Sequence, residues 1–241
     1  ALAVFSVIPF GGDALFYITD INVGLLFIIS VTSIGVYGII LAGWASNSKY
    51  PMLGGIRSSA QMISYELSYA TALAAVILLA GSLSLREVVD GQSGTWLGFI
   101  PSWYVFLQPV GFIIYMIAGV AETNRAPFDF PEAEQELVAG YNTEYSSMRF
   151  ALFFMGEYAA MIAGSALMVV LFCGGWTLPF SEFFNTPAQS LGQGLVHIGV
   201  FIAKIAMFLG LMIWIRWMLP RFRYDQLMNI GWKRFLPASL A

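Results

Sequence analysis

An all-α polytopic membrane protein is the fold class this sequence predicts, on three observations. Hydrophobic residues make up 59% of the 241-residue chain and charged residues only 10%, whereas a soluble domain carries about a quarter charged residues to cover its surface. Five stretches are long and apolar enough to cross a bilayer core, which takes about twenty residues of helix. The lysines and arginines fall almost entirely on one side of those stretches. The same composition excludes intrinsic disorder, and a net charge of −3 leaves no basic stripe for nucleic acid.

The five spans run from Ile21 to Gly43, Met62 to Ala80, Tyr104 to Ala121, Ala151 to Phe172 and Leu195 to Leu219. Ala1 to Phe10 is apolar but too short to cross, and it lacks the basic region and cleavage site of a signal peptide. Another apolar run begins at Phe235 and stops at Ala241. With no initiating Met, the expectation is one transmembrane helical domain over residues 1–241, truncated at both ends, with a partial helix at each. No internal repeat or heptad array is visible.

One side of the spans carries Lys49, Arg57, Arg125, Arg149, Arg216, Arg221, Arg223, Lys233 and Arg234; the other carries Arg86, and Lys204 lies inside the last span. Because basic loops stay cytoplasmic, the loops 44–61, 122–150 and 220–234 are expected on the cytoplasmic side and those at 11–20, 81–103 and 173–194 opposite. Trp44, Trp103, Tyr104, Trp176 and Trp232 sit at span edges, as an interfacial aromatic belt requires.

A single cysteine, Cys173, and a single histidine, His197, exclude a disulfide framework, cysteine-ligated clusters and multi-histidine metal or haem sites. Cys173 reads as a packing residue and His197 as a hydrogen-bonded residue near the far-side end of its span. Neither a phosphate-cradling glycine loop nor a serine nucleophile elbow is present. Any redox cofactor therefore belongs to a partner.

The charges that remain are concentrated. Glu122, Asp129, Glu132, Glu134, Glu136 and Glu144 share one loop with Arg125 and Arg149. Pro127 and Pro131 interrupt it, and Glu132 and Glu136 fall on one face if a short helix begins there. Crowded acids raise one another's pKa and so hold exchangeable protons; the same pattern also suits a helix N-terminus with a solvated face. Inside the spans lie Glu66, Glu157 and Lys204, and an ionisable group at bilayer depth is tolerated mainly in a bundle interior or wet cavity. With Glu122 at a span end they can form a buried polar path running from the acidic loop. The alternative for Lys204 is an ion pair with one glutamate that fixes packing.

The run Ala121-Glu-Thr-Asn-Arg-Ala-Pro-Phe-Asp-Phe-Pro-Glu-Ala-Glu-Gln-Glu-Leu137, followed by Gly140-Tyr-Asn-Thr-Glu-Tyr145 and Phe153-Phe-Met-Gly-Glu-Tyr158, closely resembles the H-subunit family of respiratory complex I. Its mitochondrial counterpart is NADH dehydrogenase subunit 1. Gly43-Trp-Ala-Ser-Asn-Ser-Lys-Tyr50, Ala60-Gln-Met-Ile-Ser-Tyr-Glu66 and Leu219-Pro-Arg-Phe-Arg-Tyr-Asp-Gln-Leu227 extend the match. The resemblance thus covers essentially the whole chain, and several long motifs in order are far more specific than one short pattern.

The resemblance implies a family total of eight transmembrane helices, with this chain holding the third to seventh and parts of the second and eighth. It implies a proton-pumping NADH:quinone oxidoreductase of the bacterial plasma membrane, in which this subunit binds no flavin or iron–sulfur cluster. Those groups would sit on hydrophilic peripheral-arm subunits, and other membrane subunits, antiporter-like ones included, would complete the assembly. Quinone is the implied substrate. Arg57, Arg125, Asp129, Glu132, Glu134 and Glu136 would line its chamber, although Arg57 also suits a plain positive-inside anchor. Glu66, Glu122 and Glu157 match acids of a proposed proton path, with Tyr158 beside it, and Lys204 is the remaining candidate for that path. A homologous subunit of a membrane-bound hydrogenase or related dehydrogenase is an alternative within the superfamily. An ion transporter is the alternative outside it, for which inverted internal symmetry would be the mark.

Overall fold

The computed structural model describes residues 2–12, 17–96, 100–125, 127–129, 140–179, 182–185 and 190–240. Helices dominate: α1 (Gly24–Ala45), α2 (Lys49–Ala80), α3 (Leu85–Asp90), α4 (Tyr104–Leu107), α5 (Pro109–Glu122), α6 (Ser147–Phe172), α7 (Glu182–Asn185), α8 (Leu191–Met218), α9 (Tyr224–Ile230) and α10 (Leu236–Leu240). A 3-10 turn, Leu2–Ser6, precedes them, and a two-residue antiparallel ladder pairs β1 (Thr95–Trp96) with β2 (Ile100–Pro101).

Among the described residues four helices, α1, α2, α6 and α8, are long and apolar enough to cross a membrane. The expected third span is not one helix. Gln108 leaves helical geometry at φ −129° and ψ 63°, and α5 restarts with Pro109 in its first turn. Proline lacks the N–H a continuous helix needs and disfavours helical geometry at the residue before it. The resulting α5 has 14 residues and a length of about 21 Å. The Gln108 side chain donates to the Ala75 carbonyl at 3.2 Å, fastening the break to α2.

The second span, by contrast, is longer than its apolar core. Only Ser46 to Ser48 turn, and α2 then runs 32 residues from Lys49, roughly 48 Å, so most of the stretch 44–61 is helical. Glycines permit the sharp reversal. A Cβ on Gly43 would meet the Pro51 carbonyl oxygen at 2.8 Å, and one on Gly54 would meet the Gly140 and Tyr141 backbone at 3.0 Å. The backbones of α1, α2 and the segment at 140 therefore approach more closely than any other residue type allows, as small residues permit in membrane packing.

Helix α2 is central, packing on α1 at one side and α5 at the other, while α6 packs on α8, α5 and α3. Its buried face carries Ser58, Ser59, Gln61, Ser64, Ser68, Tyr65 and Tyr69. Burying polar side chains while leucines such as Leu67 and Leu78 face outward fits a helix whose outer solvent is lipid. The chain after Tyr224 returns along α2: Tyr65 Oη donates to the Leu227 carbonyl at 3.1 Å, and Trp232 Nε1, on the π-turn Gly231–Phe235, donates to Ser64 Oγ at 3.0 Å.

At the opposite end, a polar cap closes α6. Gln92 Nε2 donates to the Val88 and Val170 carbonyls at 3.1 and 3.0 Å, and its Oε1 accepts from the Gly174 N–H at 3.0 Å. Gly174 and Gly175 turn the chain at φ +67° and +56°, and a Cβ on Gly174 would meet Trp103 Nε1 at 2.8 Å. Trp44 and Trp232 are exposed, as a belt requires, but Trp176 and Tyr104 are only 3% and 6% exposed. These two pack into the cap because its turns need filling.

Candidate functional site

Between α1, α5 and α6, with part of α2, lies a cavity of about 310 Å³. Glycines on three helices open it. Gly35 and Gly38 of α1, Gly119 of α5, and Gly156 and Gly164 of α6 line it, and a Cβ built on any of them would meet nothing within 4 Å. Glu122 and Glu157 line the same space, with Tyr69, Tyr115, Asn124 and Tyr141. Two acids on one cavity among apolar helices need a wet or bundle-interior setting, and this volume admits water wherever polar groups hold it.

Glu122 is the last residue of α5. A carboxylate there stands against the helix dipole, whose C-terminal end is negative, so local helix preference does not account for an acid at this position. Asn124 ends the helix at φ 53°, a left-handed conformation that asparagine adopts more readily than most residues. That turn sends Arg125 toward α6. Its Nε lies 2.6 Å from Glu157 Oε1, and its guanidinium stacks 4.7 Å from the Tyr158 ring centroid and 5.2 Å from that of Phe154. Arg125 is 7% exposed, so the pair is largely desolvated and each charge depends on the other. A planar guanidinium is suited to pairing and stacking at once.

Glu66, on α2, accepts a hydrogen bond from the Ser33 hydroxyl of α1. Tyr69 follows it by three residues on α2 and lines the cavity with Glu122. Gln61 sets the register between α2 and α5, its Nε2 donating to the Ala121 and Phe128 carbonyls at 2.9 Å each. It thereby holds the residues flanking Glu122 at both ends of the turn.

The start of the acidic loop is anchored. Phe128 stacks on Phe222 with centroids 5.5 Å apart and planes 14° apart, and the Phe222 N–H donates to the Pro127 carbonyl at 3.3 Å. Asp129 follows, half-buried. Arg57 lies over the Tyr224 ring at 5.9 Å. Glu132, Glu134 and Glu136 lie outside the described residues.

Lys204 is held away from Glu157. Its ammonium donates to the carbonyls of Cys173, Gly175 and Thr177 at 2.7, 2.9 and 2.6 Å and lies 4.5 Å from the Trp103 ring centroid. Glu157 precedes Cys173 by sixteen residues, all but the last of that rise within α6, roughly 24 Å along the axis. The ammonium is thus seated at the negative end of the α6 dipole, where backbone carbonyls lack helical partners, and not beside Glu157. His197 is fully buried with its ring 5.8 Å from Phe184, and Cys173 is buried in the cap.

Gln61, Ser33 and Tyr115 carry no charge that marks them in the sequence, and Tyr69 stands out there only as a polar neighbour of Glu66; the Tyr69 and Tyr115 hydroxyls lie 2.6 Å apart. Tyr69 falls at i+3 from Glu66 and Tyr115 at i−7 from Glu122, spacings that put each on the acid's helix face. That periodicity was the available signal.

Comparison with known proteins agrees with the resemblance. A family model described as NADH dehydrogenase matches residues 1–241. NADH-quinone oxidoreductase subunit 8 of Rhodothermus marinus is 50% identical over 245 residues, covering 100% of this chain and 71% of that protein. The NADH-quinone oxidoreductase H-subunit of Paramagnetospirillum magneticum is 52% identical over 241 residues, covering 100% of this chain and 65% of the relative. Its counterpart in Rhodospirillum centenum is 52% identical over 240 residues, with 100% and 67% covered. The chain thus spans between 65% and 71% of the length of these relatives.

Proposed function

As the chain belongs to the H-subunit family of NADH-quinone oxidoreductases, we propose that it is the membrane subunit that couples quinone reduction to proton translocation in a bacterial plasma membrane. Its partners are hydrophilic subunits carrying flavin and iron–sulfur clusters and further membrane subunits, antiporter-like ones among them. The chain itself contributes acids, an arginine and a cavity. The observation that carries this reading is the shared cavity of Glu122 and Glu157, with Arg125 reaching from the start of the acidic loop to pair with Glu157.

The mechanism follows from charge. Quinone, with Arg57, Arg125, Asp129, Glu132, Glu134 and Glu136 lining its chamber, takes up two protons on reduction and alters the charge around the loop. The Arg125–Glu157 pair feels that change because desolvated charges are weakly screened. A shift of Arg125 toward the loop acids frees Glu157 to take a proton, Glu122 responds across the cavity, and Glu66 responds beyond it. Tyr158 supports Arg125 through its ring.

Replacing Glu132 and Glu134 together by Gln, in the full-length subunit within its complex, tests the loop's part. NADH oxidation by quinone is expected to fall roughly tenfold or more, the scale of losing positioned acid–base groups. Oxidation by an artificial acceptor that bypasses the quinone stays unchanged. Quinone turnover and proton pumping both at the unsubstituted level would overturn the reading.

A further inference from the structure

We infer that the hydroxyl pair Tyr69–Tyr115 is a proton relay between Glu122 and Glu66. The inference rests on the proton-coupling function proposed above and assigns two residues that the acid pattern does not include.

Four observations carry it. The hydroxyls lie 2.6 Å apart, and either oxygen can be the donor. Their rings stack with centroids 4.5 Å apart and planes 28° apart, and the Tyr115 ring also meets Phe172 at 5.4 Å. The pair thus has one geometry and two hydrogen-bond directions, the bistable element that a coupling claim needs. Both tyrosines line the cavity that Glu122 also lines. Glu66 stands three residues before Tyr69 on the same helix, its carboxylate held by the Ser33 hydroxyl.

The helical register explains the placement. Glu66 and Tyr69 are three residues apart on α2, and Tyr115 and Glu122 seven apart on α5, so each acid stands within one or two turns of its tyrosine on nearly the same helix face, Glu66 reaching toward α1 through Ser33 and Tyr69 toward α5 through Tyr115. Gln61 locks that interface through its two carbonyl contacts. A packing role alone needs the rings and not the hydroxyls, and phenylalanine would fill the space without burying two polar atoms in the hydrophobic core to which both tyrosines belong.

The transfer balances without an oxidant. A proton leaves the Glu122 carboxyl, through cavity water, for one tyrosine hydroxyl. That hydroxyl passes its own proton to the second, which releases its proton to the Glu66 carboxylate. Glu122 ends as carboxylate, Glu66 as neutral acid, and both tyrosines remain neutral with their hydrogen bond reversed. Rotation of the two O–H bonds resets the pair.

The test uses Tyr69→Phe, Tyr115→Phe and the double variant in the full-length subunit of the assembled complex, with Glu122→Gln beside them. Each single variant leaves one hydroxyl buried without its partner, whereas the double variant leaves none, so it keeps the test usable if a single variant does not assemble. Quinone-driven proton pumping is expected to fall roughly tenfold or more in every tyrosine variant, with artificial-acceptor oxidation unchanged. The double variant should be no worse than the singles, because all three break one chain. Recovery of pumping in the double variant would make the pair structural and overturn the relay. Normal pumping in all three, with Glu122→Gln inactive, would also overturn it while leaving the acidic path intact. Normal pumping in Glu122→Gln as well would remove the path itself.

Discussion

Replacing Arg125 by Leu is expected to abolish quinone-dependent NADH oxidation while leaving the artificial-acceptor reaction intact. The guanidinium is Glu157's cation at 2.6 Å, and their side chains are 9% and 18% exposed. Removing one member of such a pair costs about 3–5 kcal/mol because the other charge is stranded. With the guanidinium gone, the charge balance that governs proton exchange at Glu157 goes with it. Arg125→Lys should fall between, since lysine keeps the charge but neither the fork nor the stacking on Tyr158 and Phe154. Combining Arg125→Leu with Glu157→Gln separates pairing from direct contact with quinone. If pairing is the role, the double variant is no worse than either single; additive losses would place Arg125 in the chamber independently of Glu157.

Lys204→Met is expected to weaken the protein rather than its chemistry. Methionine keeps the apolar length of the side chain but leaves the Cys173, Gly175 and Thr177 carbonyls without their donor. At about 1 kcal/mol for each net hydrogen bond, the loss is about 3 kcal/mol, offset in part because an ammonium no longer has to be buried. The inactivation temperature of the detergent-solubilised complex should drop by several degrees, with the ratio of protons pumped to NADH oxidised unchanged in what remains. An altered ratio at an unchanged temperature would return Lys204 to the proton path.

Much of this was legible in the sequence because bilayer depth makes charge conspicuous. Glu66 and Glu157 are the only acids inside their apolar runs, and Glu122 sits where an apolar run meets an acidic loop. What was hidden depends on backbone or on distance. Lys204 binds main-chain carbonyls about thirty residues away, and a carbonyl acceptor has no residue type to mark it. The extension of α2 before Met62 is polar, so an apolar-run criterion misses it although Lys49 to Gln61 is helical. Pro109 did signal the break at Gln108, but apolar residues on both sides made one span out of two helices. Sequence neighbourhood puts Arg125 with the loop; the left-handed turn at Asn124 is what carries it to Glu157.

If the acids lining one cavity form a single route from the loop into the membrane, Glu157 is the member whose loss shows it most directly. The variant is Glu157→Gln in the full-length subunit, with NADH:quinone turnover and proton pumping measured beside artificial-acceptor oxidation and assembly. Glutamine keeps the size and a hydrogen-bonding oxygen for Arg125 but cannot exchange a proton at neutral pH. Quinone-coupled pumping should collapse while the bypass reaction and assembly hold. Normal quinone turnover with the full complement of protons pumped would contradict the single route, leaving Glu157 as the counter-ion that packs Arg125 against α6.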